Sequence, residues 1–168
     1  MKLFATGWIL LFAICACNTH KEKTRLVVSD RIFDSSNFLS AVQHDSIFQL
    51  VKQLDSTIGS QIGVNIISSL RGRKIEEYSM DVAEKLRLGR AKYNDGILLT
   101  VALEDRQMRI EVGTGLEKIV KDEIASRINR NIMAPQFRKG NFCKGIYLGV
   151  DSIKYLIERD RYLIGNTR

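Results

Sequence analysis

An α/β sandwich is the fold class this sequence predicts, and three observations predict it. Amphipathic runs of helical period, at 40–58 and 74–88, alternate with apolar runs of strand type at 61–68, 96–103 and 108–112. Turn signals stand between them: Gly59, Arg71-Gly72-Arg73, Gly89 and Asn94-Asp95-Gly96. The last two strand runs are separated only by Glu104-Asp105-Arg106-Gln107, so they form a hairpin inside a sheet whose other strands are joined by helices. The expected architecture is a three-layer α/β/α sandwich built on a Rossmann-like mixed sheet with a central strand hairpin.

The elements follow in order. Leu26-Val27-Val28 reads as an edge strand or first packed segment, and the stretch from Asp30 to Asn37 as turn. Ser40 and Gln43 have capping-box spacing, so a helix starts there and runs to about Ile58 with Ile47, Leu50, Val51, Leu54 and Ile58 on one face. Gly59 ends it. Ile62, Val64, Ile66 and Ile67 mark a mostly buried strand. A second helix, about Lys74 to Leu88, buries Ile75, Tyr78, Val82 and Leu86. Gly96 to Leu103 is nearly all apolar and is the central strand. Met108, Ile110 and Val112 then alternate with Arg109 and Glu111. Helical patterns follow from Lys121 to Met133 and from Asn141 to Glu158, with Pro135, the only proline, breaking between them. Residues 159–168 are expected to be a frayed C-terminal tail.

The N-terminus carries a different message. Lys2 precedes an apolar stretch from Leu3 to Cys15, long enough for a signal-peptide core and too short to cross a bilayer as a mature helix. Ile14-Cys15-Ala16-Cys17 resembles a bacterial lipobox. The division expected from it is a signal peptide at 1–16, lipidated Cys17 with a linker to residue 25, a folded domain at 26–158, and the tail. The chemistry implied is thioether attachment of diacylglycerol to Cys17 Sγ, cleavage before Cys17 and acylation of the new amino group. Two or three acyl chains make a stable anchor where one does not. The alternatives are an ordinary cleaved signal peptide and a short uncleaved anchor. The lipoprotein reading places the domain in the bacterial cell envelope, facing the periplasm or the exterior.

Composition fits that placement. Cleavage before Cys17 leaves 152 of the 168 residues and takes the formal charge from +7 to +6 by removing Lys2. This is one domain with room for a hydrophobic core. The Lys and Arg residues are scattered, which suits weak attraction to anionic head groups better than nucleic acid, and no nucleic-acid partner is expected. With Cys17 lipidated only Cys143 remains, so no internal disulfide forms. Cys143 is read as a small buried hydrophobe.

Several stretches, in order, are similar to those of the TPM domain, a small α/β domain of bacterial exported and thylakoid-lumen proteins. Asp34 stands five residues before Leu39-Ser40. Gly59-Ser60-Gln61-Ile62 and Ile75-Glu76-Glu77-Tyr78 follow, then Asn94-Asp95-Gly96-Ile97-Leu98-Leu99, the run Glu104 to Glu117, and Ala134 to Phe142. The resemblance covers roughly Phe33 to Ile157. It departs at Leu86-Arg87-Leu88-Gly89, where the family usually has Trp-Gly-Ile-Gly, and at Glu104-Asp105, where Asp-Asp is usual. The resemblance implies divalent-cation binding and phosphatase activity, both attributed to some members.

The candidate site follows from topology. Ligands gather beyond the carboxyl ends of strands in an open α/β sheet. Glu104 and Asp105 end the central strand, and the start of the first helix returns Asp34 to that edge. Asp34, Glu104 and Asp105 are therefore expected to converge, as oxygen ligands for Ca²⁺ or Mg²⁺ or as three solvated loop acids. Arg71, Arg73, Arg106 and Arg109 are the basic residues expected around the site, where they either help bind a phosphate or keep the surface soluble. Gly113 and Gly115 either present amides to an anion or form a plain turn chosen for close backbone packing, and Lys118 stands where a dinucleotide fingerprint needs a third glycine. His20 and His44 are the only histidines, and no P-loop, Gly-x-Ser-x-Gly or zinc-type cluster is present. Two functions remain beside a structural domain with no ligand. One is a lipid-anchored domain that binds a cation or a membrane-protein partner in envelope upkeep. The other is a metal-dependent acid phosphatase.

Overall fold

The structure, a computed structural model, describes residues 31–165. The leader, Cys17, the linker and the segment Leu26-Val27-Val28 lie outside the described residues, as do 166–168. The first strand is β1, Ile32–Asp34, inside the stretch read as turn. After it come α1 (Ala41–Thr57), β2 (Gln61–Ile67), α2 (Ile75–Leu86), β3 (Gly96–Ala102) and β4 (Gln107–Val112). The sheet order is β1-β2-β3-β4, with β1, β2 and β3 parallel and β4 antiparallel to β3.

Helices cover both faces of this mixed sheet. Ile47, Val51 and Leu54 of α1 join Val64, Ile66, Leu99 and Val101 in the main core. On the opposite face, Ile75 of α2 packs with Ile67, Leu70 and Ala102, and Ser79 Oγ lies 2.9 Å from Thr100 Oγ1. The crossovers β1–α1–β2 and β2–α2–β3 step the same way across the sheet yet place their helices on opposite faces. They are therefore of opposite hand, and one departs from the right-handed rule. This sandwich is reached without the reversal of strand order that creates the ligand crevice of a doubly wound fold.

Local chemistry explains the boundaries. Ser40 caps α1, and the reciprocal bond from Ser40 N–H to Gln43 Oε1 completes the capping box. Gly59, at φ 86°, turns the chain into β2. On α2 only Ile75 and Ser79 are fully buried, while Tyr78, Val82 and Leu86 are half-buried. Leu88, in the segment where the resemblance departs, packs against Gly63, where a Cβ would fall 2.5 Å from Leu88 Cδ1.

Pro135 does not break the chain. Residues 122–138 run on as α3 (Asp122–Arg127), a π-helical turn (Ile128–Met133) and α4 (Ala134–Arg138). The Ala134 amide bonds back five residues to Asn129 O, and Pro135 sits in the first turn of α4. The wider turn moves away the carbonyl that the proline ring would strike, and its missing N–H costs little at a helix start. The break comes at Gly140, φ 77°, before α5 (Phe142–Arg159). Nor does the chain fray directly after α5: Leu163 and Ile164 pack on the main core and Gly165 N–H donates to Gly115 O at 3.0 Å. No helix among the described residues is long and apolar enough to cross a membrane.

Candidate functional site

The carboxyl edge of the parallel strands is formed by the end of β1, the loop after β2 and the β3–β4 turn. Asp34 ends β1, and its side chain turns back on its own loop. Oδ2 accepts the Leu39 amide at 2.8 Å, while Oδ1 accepts Ser36 Oγ at 2.6 Å and the Ser36 amide at 3.2 Å. Burial works to raise the Asp34 pKa, but the bonds from Leu39, Ser36 and Phe38 together outweigh it and hold the carboxyl below its ordinary value. The five-residue spacing to Leu39-Ser40 thus has a local cause: Asp34 fixes the turn that delivers Ser40 to the helix cap.

Asp105 does a similar job between loops. Its Oδ2 accepts the Leu70 amide at 2.8 Å and ties the hairpin turn to the loop after β2, while the Glu104 amide donates to Ser68 O at 2.9 Å. The Glu104 side chain is exposed. All three acids stand on one edge, but among the described residues no group of three His, Cys, Asp or Glu side chains could hold a metal ion. Two of the three carboxylates are spent on backbone amides, so the set falls short of the all-protein oxygen cage that Ca²⁺ takes.

The cations and glycines separate. Arg106 stands in the turn at φ 54° and is exposed. Arg109 pairs in register with Thr100, on the α2 face, and its guanidinium is bound to Glu111; that bond is the main reason its pKa is raised. Arg73 is paired with Asp81 at 2.6 Å. The Gly113 and Gly115 amides donate to Gly96 O and Asn94 O, at 2.8 and 3.0 Å, so neither is aimed at an anion. A Cβ at Gly115 would fall 1.8 Å from Tyr93 O, and close packing is the reason for glycine there. At this far edge Asp95 is fully buried and receives Ser60 Oγ, the Arg90 amide and the Arg90 guanidinium. It is a structural anchor for Gly59-Ser60-Gln61 and Asn94-Asp95-Gly96. His44 stacks on Phe48, and burial pushes the Cys143 thiol up.

Beside the acids the edge carries something sequence reasoning did not single out. An open cleft of about 1030 Å³ lies between the start of α1 and the start of α5, lined by Phe38, Val42, Phe142, Lys144 and Tyr147 among others. A second, of about 480 Å³, lies between the sheet end and α4, lined by Val101, Met108, Arg106, Phe137 and Arg138. Gly140 and Phe142 line both. Phe142 meets Phe38 edge-on, centroids 5.7 Å apart, and Phe137 at 5.0 Å. The signal was present in Phe137-Arg138-Lys139-Gly140-Asn141-Phe142, two aromatics flanking a basic turn, but only the fold brings Phe38 to them.

A scan against family models matches the TPM domain to residues 32–156. The chain belongs to the TPM domain family. Among solved structures it is similar to the N-terminal domain of a P. gingivalis protein, at 29% identity and TM-score 0.74, covering 80% of this chain and 86% of that one. The BA42 protein of the psychrophilic bacterium Bizionia argentinensis has the same fold, with 24% identity, TM-score 0.64 and coverage of 75% and 86%. So does the N-terminal domain of a Corynebacterium glutamicum protein, with 17% identity, TM-score 0.61 and coverage of 75% and 78%. No curated protein matches the chain.

Proposed function

We propose that this TPM domain is anchored to a membrane of the bacterial envelope through lipidated Cys17, faces the periplasm or exterior, and works by binding a protein partner at the carboxyl edge of its sheet. One observation carries the reading. The concave part of that edge is lined by aromatic and cationic side chains, while Asp34 and Asp105, the acids beside it, are engaged with backbone amides of the domain itself. Phe38, 38% exposed, and Val42, 77% exposed, line the same cleft, and it is such grouping of exposed apolar side chains that marks a contact surface. A Ca²⁺ or Mg²⁺ ion at Asp34, Glu104 and Asp105 would need Glu104 to swing in and water to fill most of the shell. Cation binding is therefore expected to be weak and secondary to the partner. A metal-dependent acid phosphatase is the competing function, and it requires those same acids to act on a substrate.

A photocrosslinking residue at Val42, in the full chain expressed with its leader and irradiated in cells, tests this reading. One discrete protein adduct is expected from position 42 and none from Tyr155, 61% exposed on α5 and outside both clefts. Equal labelling from the two positions, or none from either, would overturn it.

A further inference from the structure

The charge around the two clefts is one-sided. Arg106 and Arg138 line the smaller and Lys144 the larger, and among the described residues no Asp or Glu lines either. None of these three cations is in an ion pair among the described residues. Unpaired cations at the rim of an apolar groove raise the association rate of an anionic partner and select against a cationic one. Between them, Phe142 forms a wall shared by the two clefts, with Phe38 on one side and Phe137 on the other. Aromatic walls of this kind hold apolar side chains and supply most of the affinity when enclosed.

We propose that this groove, between the start of α1, the α4–α5 loop and the β3–β4 turn, takes an acidic protein segment bearing apolar side chains, its carboxylates meeting Arg106, Arg138 and Lys144 while its apolar side chains seat against Phe38, Phe137 and Phe142. The inference rests on the partner-binding reading and adds the chemistry of the partner. The concavity favours a chain over a bilayer: a flat anionic membrane reaches the cations at the rim but not the aromatic walls between them.

The test uses the full chain in detergent and fluorescence anisotropy with a synthetic peptide a dozen residues long, alternating Glu with Leu and Phe, beside the same peptide with Lys for Glu. The Glu peptide is expected to bind, to weaken as salt screens the rim, and to lose about tenfold in affinity in the double variant Arg138→Glu, Lys144→Glu. The Lys peptide is expected to gain in that variant. Both positions are exposed and, among the described residues, without ion pairs, and a Glu in the first turn of α5 suits the helix dipole, so the variant should fold normally, as its unfolding midpoint will show. Equal binding of the two peptides, no binding of either, or the same affinity in the double variant would overturn the proposal. So would retention on vesicles one-third phosphatidylglycerol, lost in the double variant, without any peptide binding: that outcome makes the groove a membrane contact. If the Val42 adduct forms in cells and survives Arg138→Glu, Lys144→Glu, the partner reading stands and this inference alone fails. If no adduct forms, the partner reading itself fails.

Discussion

Replacing Asp34 by alanine separates a structural acid from a metal ligand. The substitution removes the acceptor for two backbone amides, Ser36 and Leu39, and for Ser36 Oγ. A hydrogen bond to a charged group contributes about 1.5–3 kcal/mol when buried. Asp34 is only half-buried, water can replace part of each bond, and about 2 kcal/mol for the set is the appropriate scale. Unfolding entropy near 2.1 cal/mol/K per residue, over the 135 described residues, gives about 0.28 kcal/mol per degree, so the midpoint should fall by about 7 °C. The pH dependence has a definite sign. The folded Asp34 carboxyl is held below its ordinary value of 3.8, so its contribution is whole above that pH and is lost as pH falls through the folded value. The gap between wild type and Asp34→Ala should be full at neutral pH, narrow below about pH 4, and be the same in EDTA as in Ca²⁺. Thermal unfolding followed by circular dichroism measures it. A gap that is absent in EDTA and appears only with a divalent cation would refute the reasoning and make Asp34 a ligand.

Other residues give equally direct tests. Asp95→Asn leaves the Arg90 guanidinium facing a neutral, fully buried amide and should lower stability by about 3 kcal/mol in urea unfolding, more than Ser60→Ala, which removes one of its donors. Gly115→Ala drives a methyl into Tyr93 O and should destabilise by about 2–3 kcal/mol, with the loss in the unfolding midpoint and none in phosphate affinity. Cys17→Ser should accumulate as unprocessed precursor, and intact-mass analysis of the wild type should find acyl chains on Cys17; a wild-type mass with none would sink the lipoprotein reading.

Much of the fold was legible because the signals were local. Ser40 with Gln43, Gly59 before β2 and the four polar residues between β3 and β4 each act within a few positions, and each does so in the structure. Three readings failed for reasons that are not local. Ile32–Asp34 has too few apolar residues to announce a strand, and becomes one because β2 supplies its ladder, Ser35 N–H bonding Ile66 O and Val64 N–H bonding Arg31 O. Pro135 reads as a helix breaker until the π-helical turn before it makes room. Leu163 and Ile164 read as tail because the core they join is formed by residues far away in sequence. The handedness of the crossovers is likewise a property of packing, invisible in any window of sequence.

The candidate site divides the same way. That Asp34, Glu104 and Asp105 share an edge follows from alternating helices and parallel strands. What they do there depends on partners in other loops: Leu39 N–H for Asp34 and Leu70 N–H for Asp105. Gly113 and Gly115 fit either reading in sequence, and the carbonyls of Gly96 and Asn94, which accept their amides, decide for the turn. Phe38 and Phe142 are 104 positions apart in sequence, and no motif announces their contact.

The partner-binding reading we propose leaves no substrate turnover at this edge. Hydrolysis of p-nitrophenyl phosphate by the purified chain, with Mg²⁺, Ca²⁺ or Mn²⁺ and then with EDTA, tests it most directly, with Asp105→Asn as the control. Release indistinguishable from that of Asp105→Asn is expected under every condition. Hydrolysis that requires the cation, stops with EDTA and is lost in a folded Asp105→Asn would contradict it.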